Sequence, residues 1–172
     1  GKCTSFSNTL NNGDIVISDR IYLADVDQME EANTRLGQIP GYGCYYEVQH
    51  DIIESLNKSM EMRTYAPNKV GNFISSNTYY TSIDQLDHIR IDDSIYGVRD
   101  NIVLDCNSGG CALACAMHSI PFVAAKVVYK RLGEKNSAKL YATVLKNYTG
   151  VGKAVVTCIG DISRNDIIRE DE

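Results

Sequence analysis

The sequence predicts an α/β protein with a largely parallel sheet, and two observations carry that prediction. Segments of strand composition alternate with segments of helical spacing throughout a chain of 172 residues. In the stretch 102–130, a β-branched run, a Gly-marked turn, a helix of small residues, a Pro-marked loop and a second β-branched run follow one another. This order is that of a βαβ unit, which joins two parallel strands.

The individual elements follow from local composition and spacing. Runs of β-branched residues bounded by Gly, Asp or polar turns predict strands over 13–19, 69–76, 102–106 and 122–128, and 21–23 extends the first of them. Pro and Gly between residues 24 and 43 predict a long loop, and 92–101 is a second loop.

The helices are predicted from apolar spacing and capping residues. Apolar side chains at positions 48, 52, 53, 56 and 60 predict an amphipathic helix from Val48 to Met60. Ser82 is the expected N-cap of a short helix that reaches Arg90. A helix over 108–119 and a final helix of about 20 residues, beginning near Ser137, complete the set.

Composition and charge limit the classes of partner. The chain is 44% hydrophobic and 23% charged, which is ordinary for a soluble globular domain, and no apolar run approaches the ~18 residues of a membrane span. The net charge of −5 and the lack of a phosphate-neutralising basic cluster argue against a nucleic-acid partner. A small basic group is expected to be the solvated start of a helix: Lys126, Lys130, Arg131 and Lys135.

Six cysteines without a C-x-x-C pair favour a reducing, cytoplasmic location. Glycosylation sequons at Asn57 and Asn147 leave secretion open. Four residues have spacing that a metal site could use, namely Cys106, Cys111, Cys115 and His118. A buried helix of small residues is the favoured interpretation, so that no metal site and no cofactor are predicted.

Five segments together resemble a known family. They are Thr9–Asp19 (TLNNGDIVISD), Tyr22–Asp27, Gln38–Gly41 (QIPG), Val70–Ser76 and the stretch 102–122. In their order and spacing they are similar to the nucleoside phosphorylase family that includes 5′-methylthioadenosine/S-adenosylhomocysteine nucleosidase. The resemblance implies a three-layer fold, a mixed and mostly parallel sheet flanked by helices, in a single domain over 1–172.

The resemblance also assigns catalytic positions, and these differ here. The family carboxylate that holds the ribose hydroxyls aligns with Asn107, and an amide is a weaker acceptor than an ionised group. Asp105 is expected to point away from Asn107. The family acid that protonates the departing purine aligns with Lys130, where an ammonium would place positive charge beside a developing cation.

The remaining family positions are ligand contacts. Tyr79 aligns with the aromatic residue that stacks on the base, and Lys126 with an arginine that packs against the site. Cys106 and Asn107 stand in place of the helix-opening pair that contacts the ribose. Thr4 lies in the opening segment, which aligns with a turn rich in Gly, Ser and Ala. The resemblance thus implies a purine nucleoside as ligand.

In the family, roughly a third of the fold precedes the segment at which this sequence opens. The resemblance therefore implies an incomplete nucleoside phosphorylase-like domain that lacks the N-terminal strands. A sheet without its middle strands would expose an unpaired edge. We expect a homo-oligomer, or an N-terminal chain that completes the sheet, and the Tyr-rich segment 42–46 is a candidate contact.

Three functions remain open at this stage. The leading hypothesis is a pseudoenzyme with a degenerate catalytic site and a nucleoside-binding or assembly role. The second is an active purine nucleosidase or phosphorylase acting on methylthioadenosine-like nucleosides, in which Asp105 or Asp161 supplies the acid and an N-terminal part completes the site. The third is a storage or scaffold protein.

Overall fold

The computed structural model describes residues 1–64, 66–82, 84–86, 101–135 and 138–170. Within these ranges the strands are β1 (Lys2–Ser5), β2 (Ile15–Leu23), β3 (Tyr45–Glu47), β4 (Asn68–Ser75), β5 (Val103–Asp105) and β6 (Ala125–Arg131). The helices are α1 (Met29–Ala32), α2 (His50–Arg63), α3 (Ser108–Met117) and α4 (Ala138–Glu170). The predicted α/β class is therefore confirmed.

The strands form one mixed sheet in the order β3-β2-β4-β5-β1-β6. The pairs β2–β4, β4–β5 and β1–β6 are parallel, whereas β2–β3, β1–β5 and β2–β6 are antiparallel. Because β2 also pairs with β6, five strands close into a ring and only β3, among the described strands, leaves an edge open. The expected gap in the middle of the sheet is not seen in this part of the chain, since β1 pairs with a neighbour on both sides.

Each strand of the ring contributes a side chain to one apolar cluster. The five residues are Cys3, Val16, Phe73, Val103 and Val128, none more than 3% exposed. On β2, Val16 of this cluster alternates with Ile15 and Ile17, which belong to a separate cluster, so the two clusters lie on opposite faces of the sheet. This cluster is therefore the core of the ring, and α3 adds Ala112 to it.

A second cluster joins the sheet to the two long helices. Ile15 and Ile17 of β2 pack with Leu56 of α2 and with Val144 of α4, among others. The apolar spacing that predicts α2 is thus confirmed. The helix α4 has 33 residues, longer than predicted, because buried positions recur every three or four residues as far as Cys158. Among the described residues, no helix, α4 included, is both long and apolar enough to cross a membrane.

The predicted βαβ unit with two parallel strands was wrong: β1 is antiparallel to β5 and parallel to β6, so β5 and β6 run in opposite directions. The second of these strands also differs from its predicted range. β6 begins at Ala125 and runs to Arg131, so Lys126 and Lys130 lie within a strand and are buried. The expectation of a solvated helix start was wrong. Both ammonium groups find polar partners inside the protein, which is what permits their burial.

Two further predictions change in the structure. Of the short helix from Ser82, a single 3-10 turn over Asp84–Leu86 is described, and 83 and 87–100 lie outside the described residues. Asn147 of the second sequon is buried and donates its amide to the Gly13 carbonyl at 2.8 Å. In the folded chain that side chain is not accessible for glycosylation.

Replacing Phe73 by Ala tests the core of the ring. Phe73 is fully buried, so the truncation should lower the free energy of unfolding by about 3–5 kcal/mol. Val70→Ala on the same strand is the matched control, since Val70 is 39% exposed and should cost less than about 1 kcal/mol. Urea denaturation followed by circular dichroism measures both, and equal losses would contradict a closed ring with Phe73 inside it.

Candidate functional site

A pocket of about 320 Å³ lies where β5 and the loop after β4 meet β1 and β6. Strand ends are the usual place for ligand sites in α/β folds. The residues that line it are Lys2, Cys3, Thr4, Thr78, Tyr79, Tyr80, Leu104, Asp105, Cys106, Asn107, Lys126 and Tyr129. Every residue predicted to contact a ligand is among them, together with Asp105.

The turn from β5 into α3 fixes the acidic side of this pocket. β5 ends at Asp105, whose carboxylate accepts hydrogen bonds from the hydroxyl and the backbone N–H of Ser108. The Gly109 N–H donates to the hydroxyl of Ser75 at 2.9 Å. A side chain at Gly109 would collide with Leu23 and with Ser75, so glycine is needed for this close approach of α3 to the sheet.

Lys126 occupies the centre of the site. Its Nζ lies 2.7 Å from Oδ2 of Asp105 and also donates to Oδ1 of Asn107. The side chains of Lys126 and Asp105 are 8% and 1% exposed, so the pair is a buried ion pair. Burial of two charges is tolerated when their other hydrogen-bonding groups also have partners. Here Ser108 donates to Asp105, and Asn107 accepts a hydrogen bond from Lys126.

The expectation that Asp105 points away from Asn107 was therefore wrong. Both side chains meet the same ammonium group. Residues two apart on a strand share a face, and the turn after Asp105 keeps Asn107 on the pocket side. The three side chains form a single unit, referred to below as the Lys126 cluster: Asp105, Asn107 and Lys126.

Lys130 lies next to the pocket but outside its lining. Its ammonium donates to the carbonyl of Glu134 at 3.2 Å and stands 5.5 Å from the ring centroid of Tyr79. The carboxyl group of Glu134 accepts hydrogen bonds from the Arg131 N–H and the Asn12 amide, and these two bonds lower its pKa. A local turn thus holds the ammonium of Lys130 close to the ring of Tyr79.

Three tyrosines, Tyr79, Tyr80 and Tyr129, form an aromatic part of the pocket lining. The ring of Tyr79 is half exposed, whereas Tyr129 is buried and meets Tyr141 edge-on at 6.4 Å. The hydroxyl of Tyr80 lies 3.2 Å from that of Ser76. Lys2 places its Nζ 5.0 Å from the ring centroid of Tyr129, at the rim. This wall offers flat aromatic surface beside a cation.

Sequence reasoning missed Lys2, Cys3 and Tyr80 as lining residues. The register of β1 against β6 shifts between Cys3 and Thr4. This irregularity lets consecutive residues reach one pocket, where a regular strand would turn every second side chain away. Tyr80 follows the predicted Tyr79 directly in the sequence, and this adjacency was the signal that could have identified it as a lining residue.

The six cysteines range from buried to exposed, with Cys44 and Cys115 partly buried. Cys3 is buried, and burial raises the pKa of its thiol far above the ordinary value. Cys106, in the turn before α3, and Cys111, on α3 itself, are exposed, so the expectation of a buried helix of small residues was wrong. One face of the helix, with Ala112, covers the sheet while the other meets solvent. No cluster of His, Cys, Asp or Glu in the described part of the chain could hold a metal ion.

Comparisons with known proteins place the fold. No family model matches the chain. It is 23% identical over 128 residues to the 5′-methylthioadenosine/S-adenosylhomocysteine nucleosidase of Staphylococcus aureus strain JH9, a match that covers 74% of this chain and 53% of that protein. The chain thus spans about half the length of the curated relatives it matches.

Solved structures agree with this similarity. The nucleosidase of Colwellia psychrerythraea in complex with adenine has a TM-score of 0.74 at 18% identity and covers 93% of this chain and 64% of that one. The nucleosidase of Neisseria meningitidis in complex with methylthio-immucillin-A gives 0.73 at 18% identity, with 92% and 66% covered. The futalosine hydrolase of Helicobacter pylori gives 0.72 at 15% identity, with 94% and 66% covered.

These structures define the class: this is an α/β protein with the nucleosidase fold. At 23% identity the sequence is similar to a 5′-methylthioadenosine/S-adenosylhomocysteine nucleosidase, and the fold is shared with solved structures of such nucleosidases.

A double-mutant cycle tests the buried ion pair. Lys126→Met leaves the carboxylate of Asp105 buried without its partner and should cost about 3–5 kcal/mol of unfolding free energy. Adding Asp105→Asn should recover part of that loss, which urea denaturation measures. The exposed pair Arg20–Glu47, at 3.2 Å, is the matched control and should couple by less than about 1 kcal/mol. Additive losses at the buried pair would contradict this geometry.

Proposed function

We propose that this chain is a nucleosidase-like protein that binds a purine nucleoside in the pocket and does not cleave its glycosidic bond. The structural relatives from Colwellia and Neisseria were solved with adenine and with a nucleoside analogue, which supports this ligand class. One observation carries the proposal against catalysis, namely that the ammonium of Lys126 already holds both Asp105 and Asn107.

Cleavage of a purine nucleoside makes two demands on a site. A donor must protonate the departing base, and negative charge must face the oxocarbenium-like sugar. Here three groups donate to Asp105, which are the ammonium of Lys126 and the hydroxyl and N–H of Ser108. A cation in this place opposes the charge that develops in the reaction, and a few kcal/mol of lost stabilisation lowers the rate by orders of magnitude.

Binding makes weaker demands, and the pocket meets them. Its volume of about 320 Å³ lies at the lower end of the range of small-molecule sites. The half-exposed ring of Tyr79 offers a face on which a base can stack. The amide oxygen of Asn107 is engaged by Lys126, which leaves its NH₂ group as the donor for a ribose hydroxyl.

An active enzyme is the competing function, and one observation favours it: Asp105 lines the pocket. The other candidate acid, Asp161, is exposed on α4, pairs with Arg164 at 2.8 Å and is not among the lining residues. Of these two candidate acids, Asp105 is the one that lines the pocket. The turnover experiment below separates the two functions.

The purified chain should release no adenine from 5′-methylthioadenosine above the buffer rate, because Asp105, the acidic residue that lines the pocket in the described part of the chain, is held by Lys126 and Ser108. Chromatographic quantification of adenine measures this, with the Neisseria meningitidis nucleosidase as positive control in the same assay. Turnover in the usual enzymatic range of about 1–10³ s⁻¹ would contradict the proposal. If that turnover disappeared in Asp105→Asn while the fold persisted, Asp105 would be its acid.

Binding should protect Cys106 from alkylation. Cys106 lines the pocket and is exposed, so bound 5′-methylthioadenosine should slow its reaction with iodoacetamide. Cys111 is exposed but does not line the pocket, and its rate should stay constant in the same sample as an internal control. Mass spectrometry of tryptic peptides reads both rates.

A variant without the Tyr79 ring tests whether base stacking contributes to the protection of Cys106. Loss of base stacking in Tyr79→Ala should raise the ligand concentration needed for protection about tenfold. Tyr45→Ala, on β3 and outside the pocket, is the matched control. Equal alkylation of Cys106 with and without saturating nucleoside would reject nucleoside binding at this site.

A further inference from the structure

The helix α4 is apolar on two faces. One face is buried against the sheet and α2, and it places Val144, Val151 and Ala154 in the core. The second face points away from that core. Four of its large apolar residues are 48–71% exposed, namely Tyr141, Leu145, Val156 and Ile159. Exposed apolar patches of this kind usually mark a contact with another molecule.

The apolar residues of the second face follow a repeat of seven. Their spacing alternates between four and three residues, which is the spacing with which one helix packs along another in a coiled coil. At a rise of 1.5 Å per residue, the stripe from Tyr141 to Ile159 is about 27 Å long. The outer face of α4, as the name is used below, consists of Tyr141, Leu145, Tyr148, Gly152, Val155, Val156 and Ile159.

The outer face borders a concave surface. A groove of about 430 Å³ runs beside it and is lined by Gly1, Ala125, Tyr148, Val151, Gly152 and Val155. A Cβ at Gly152 would meet nothing within 4 Å, so the side chain of a partner can approach the helix backbone there. A groove of this shape suits a rounded helix better than a flat bilayer. No residue that lines it also lines the candidate nucleoside pocket.

The charges beside the outer face are of one sign. Lysines recur every seven residues along α4, at Lys139, Lys146 and Lys153, so they follow the same repeat as the apolar stripe. All three are exposed. Up to Arg164, the one acid on this helix is Asp161, and these two residues pair at 2.8 Å. A chain with a formal net charge of −5 thus carries a row of lysines next to its exposed apolar stripe.

This combination limits the chemistry of a partner. Opposite charges across an interface favour association, whereas like charges placed together cost free energy. A second copy of the chain would offer the same lysines and, on α4 up to Arg164, an acid that is already paired. A partner with acidic side chains beside an apolar stripe would complement both features of the face.

We propose that the outer face of α4 binds an amphipathic helix of a partner protein, with the apolar side of that helix along the face and its acidic side chains towards the lysine row. The repeat of seven and the groove select a helix, and the lysines select acidic residues. The inference goes beyond the proposed function, since this surface is separate from the nucleoside pocket.

Two synthetic peptides test the chemistry of the partner, by fluorescence anisotropy with the full chain. Both are helices of three heptads with leucine at the positions that would face α4, and glutamate flanks the leucines in one peptide and lysine in the other. At low ionic strength the acidic peptide should bind about tenfold more tightly, and the difference should shrink as salt screens the charges. Equal affinities, or no binding of the acidic peptide, would overturn the inference.

Substitutions locate the binding surface. Ile159→Asp places a charge in the apolar stripe and should weaken binding of the acidic peptide by about tenfold or more. Met62→Asp is the matched control, because Met62 is 81% exposed on α2 and lies outside the outer face. Lys153→Gln should reduce the advantage of the acidic peptide, whereas Lys58→Gln, exposed on α2, should not. Thermal melting checks that each variant is folded.

Other occupants of the face give different results. If light scattering shows that the chain alone is a dimer and that Ile159→Asp dissociates it, the face binds a second copy. If the chain sediments with phosphatidylserine vesicles and Ile159→Asp abolishes this, the face binds a membrane. Either result overturns the inference, as does a peptide affinity that Ile159→Asp leaves unchanged. The proposed nucleoside binding is tested separately, since no residue of the outer face lines that pocket.

Discussion

The buried ammonium of Lys126 is the constraint on which the site depends. It joins three elements, because Lys126 belongs to β6, Asp105 ends β5, and Asn107 precedes α3. Taking two charges out of water costs several kcal/mol for each ion, so the pair is stable only with its other hydrogen bonds complete. Ser108 and Asn107 complete them.

The closed ring makes this contact possible. β1 lies between β5 and β6, so two strand spacings of about 5 Å separate Lys126 from Asp105. A long, flexible side chain can cross that distance, whereas the short side chains common in strands cannot. The ring also places Lys2 and Thr4 of β1 between the two, at the lining of the pocket.

Different side chains stabilise the fold and supply the polar groups of the pocket. The ring, α2 and α4 are held by apolar clusters that do not involve the charged groups of the pocket. The polar lining can therefore change while the nucleosidase fold persists, since a fold does not by itself fix an activity. This separation is consistent with the proposed function, in which the tyrosines of the pocket bind a base while Asp105 is paired with Lys126.

The sequence by itself determined the α/β class and α2, because these follow from local periodicity, and its resemblance to a known family brought Tyr79, Asn107 and Lys126 together as residues of one pocket. It did not determine the direction of the strands, since β5 and β6 are antiparallel rather than the parallel pair of a βαβ unit. It also did not determine which side chain Lys126 would hold, that Lys130 would lie over the Tyr79 ring, how far α4 extends, or that β1 would shift register and bring Lys2 to the pocket. Those features depend on pairings between segments more than 120 residues apart, such as Lys2 of β1 with Val127 of β6. Tertiary structure alone decides them, since a strand's alternation shows which residues share a face and not what that face meets.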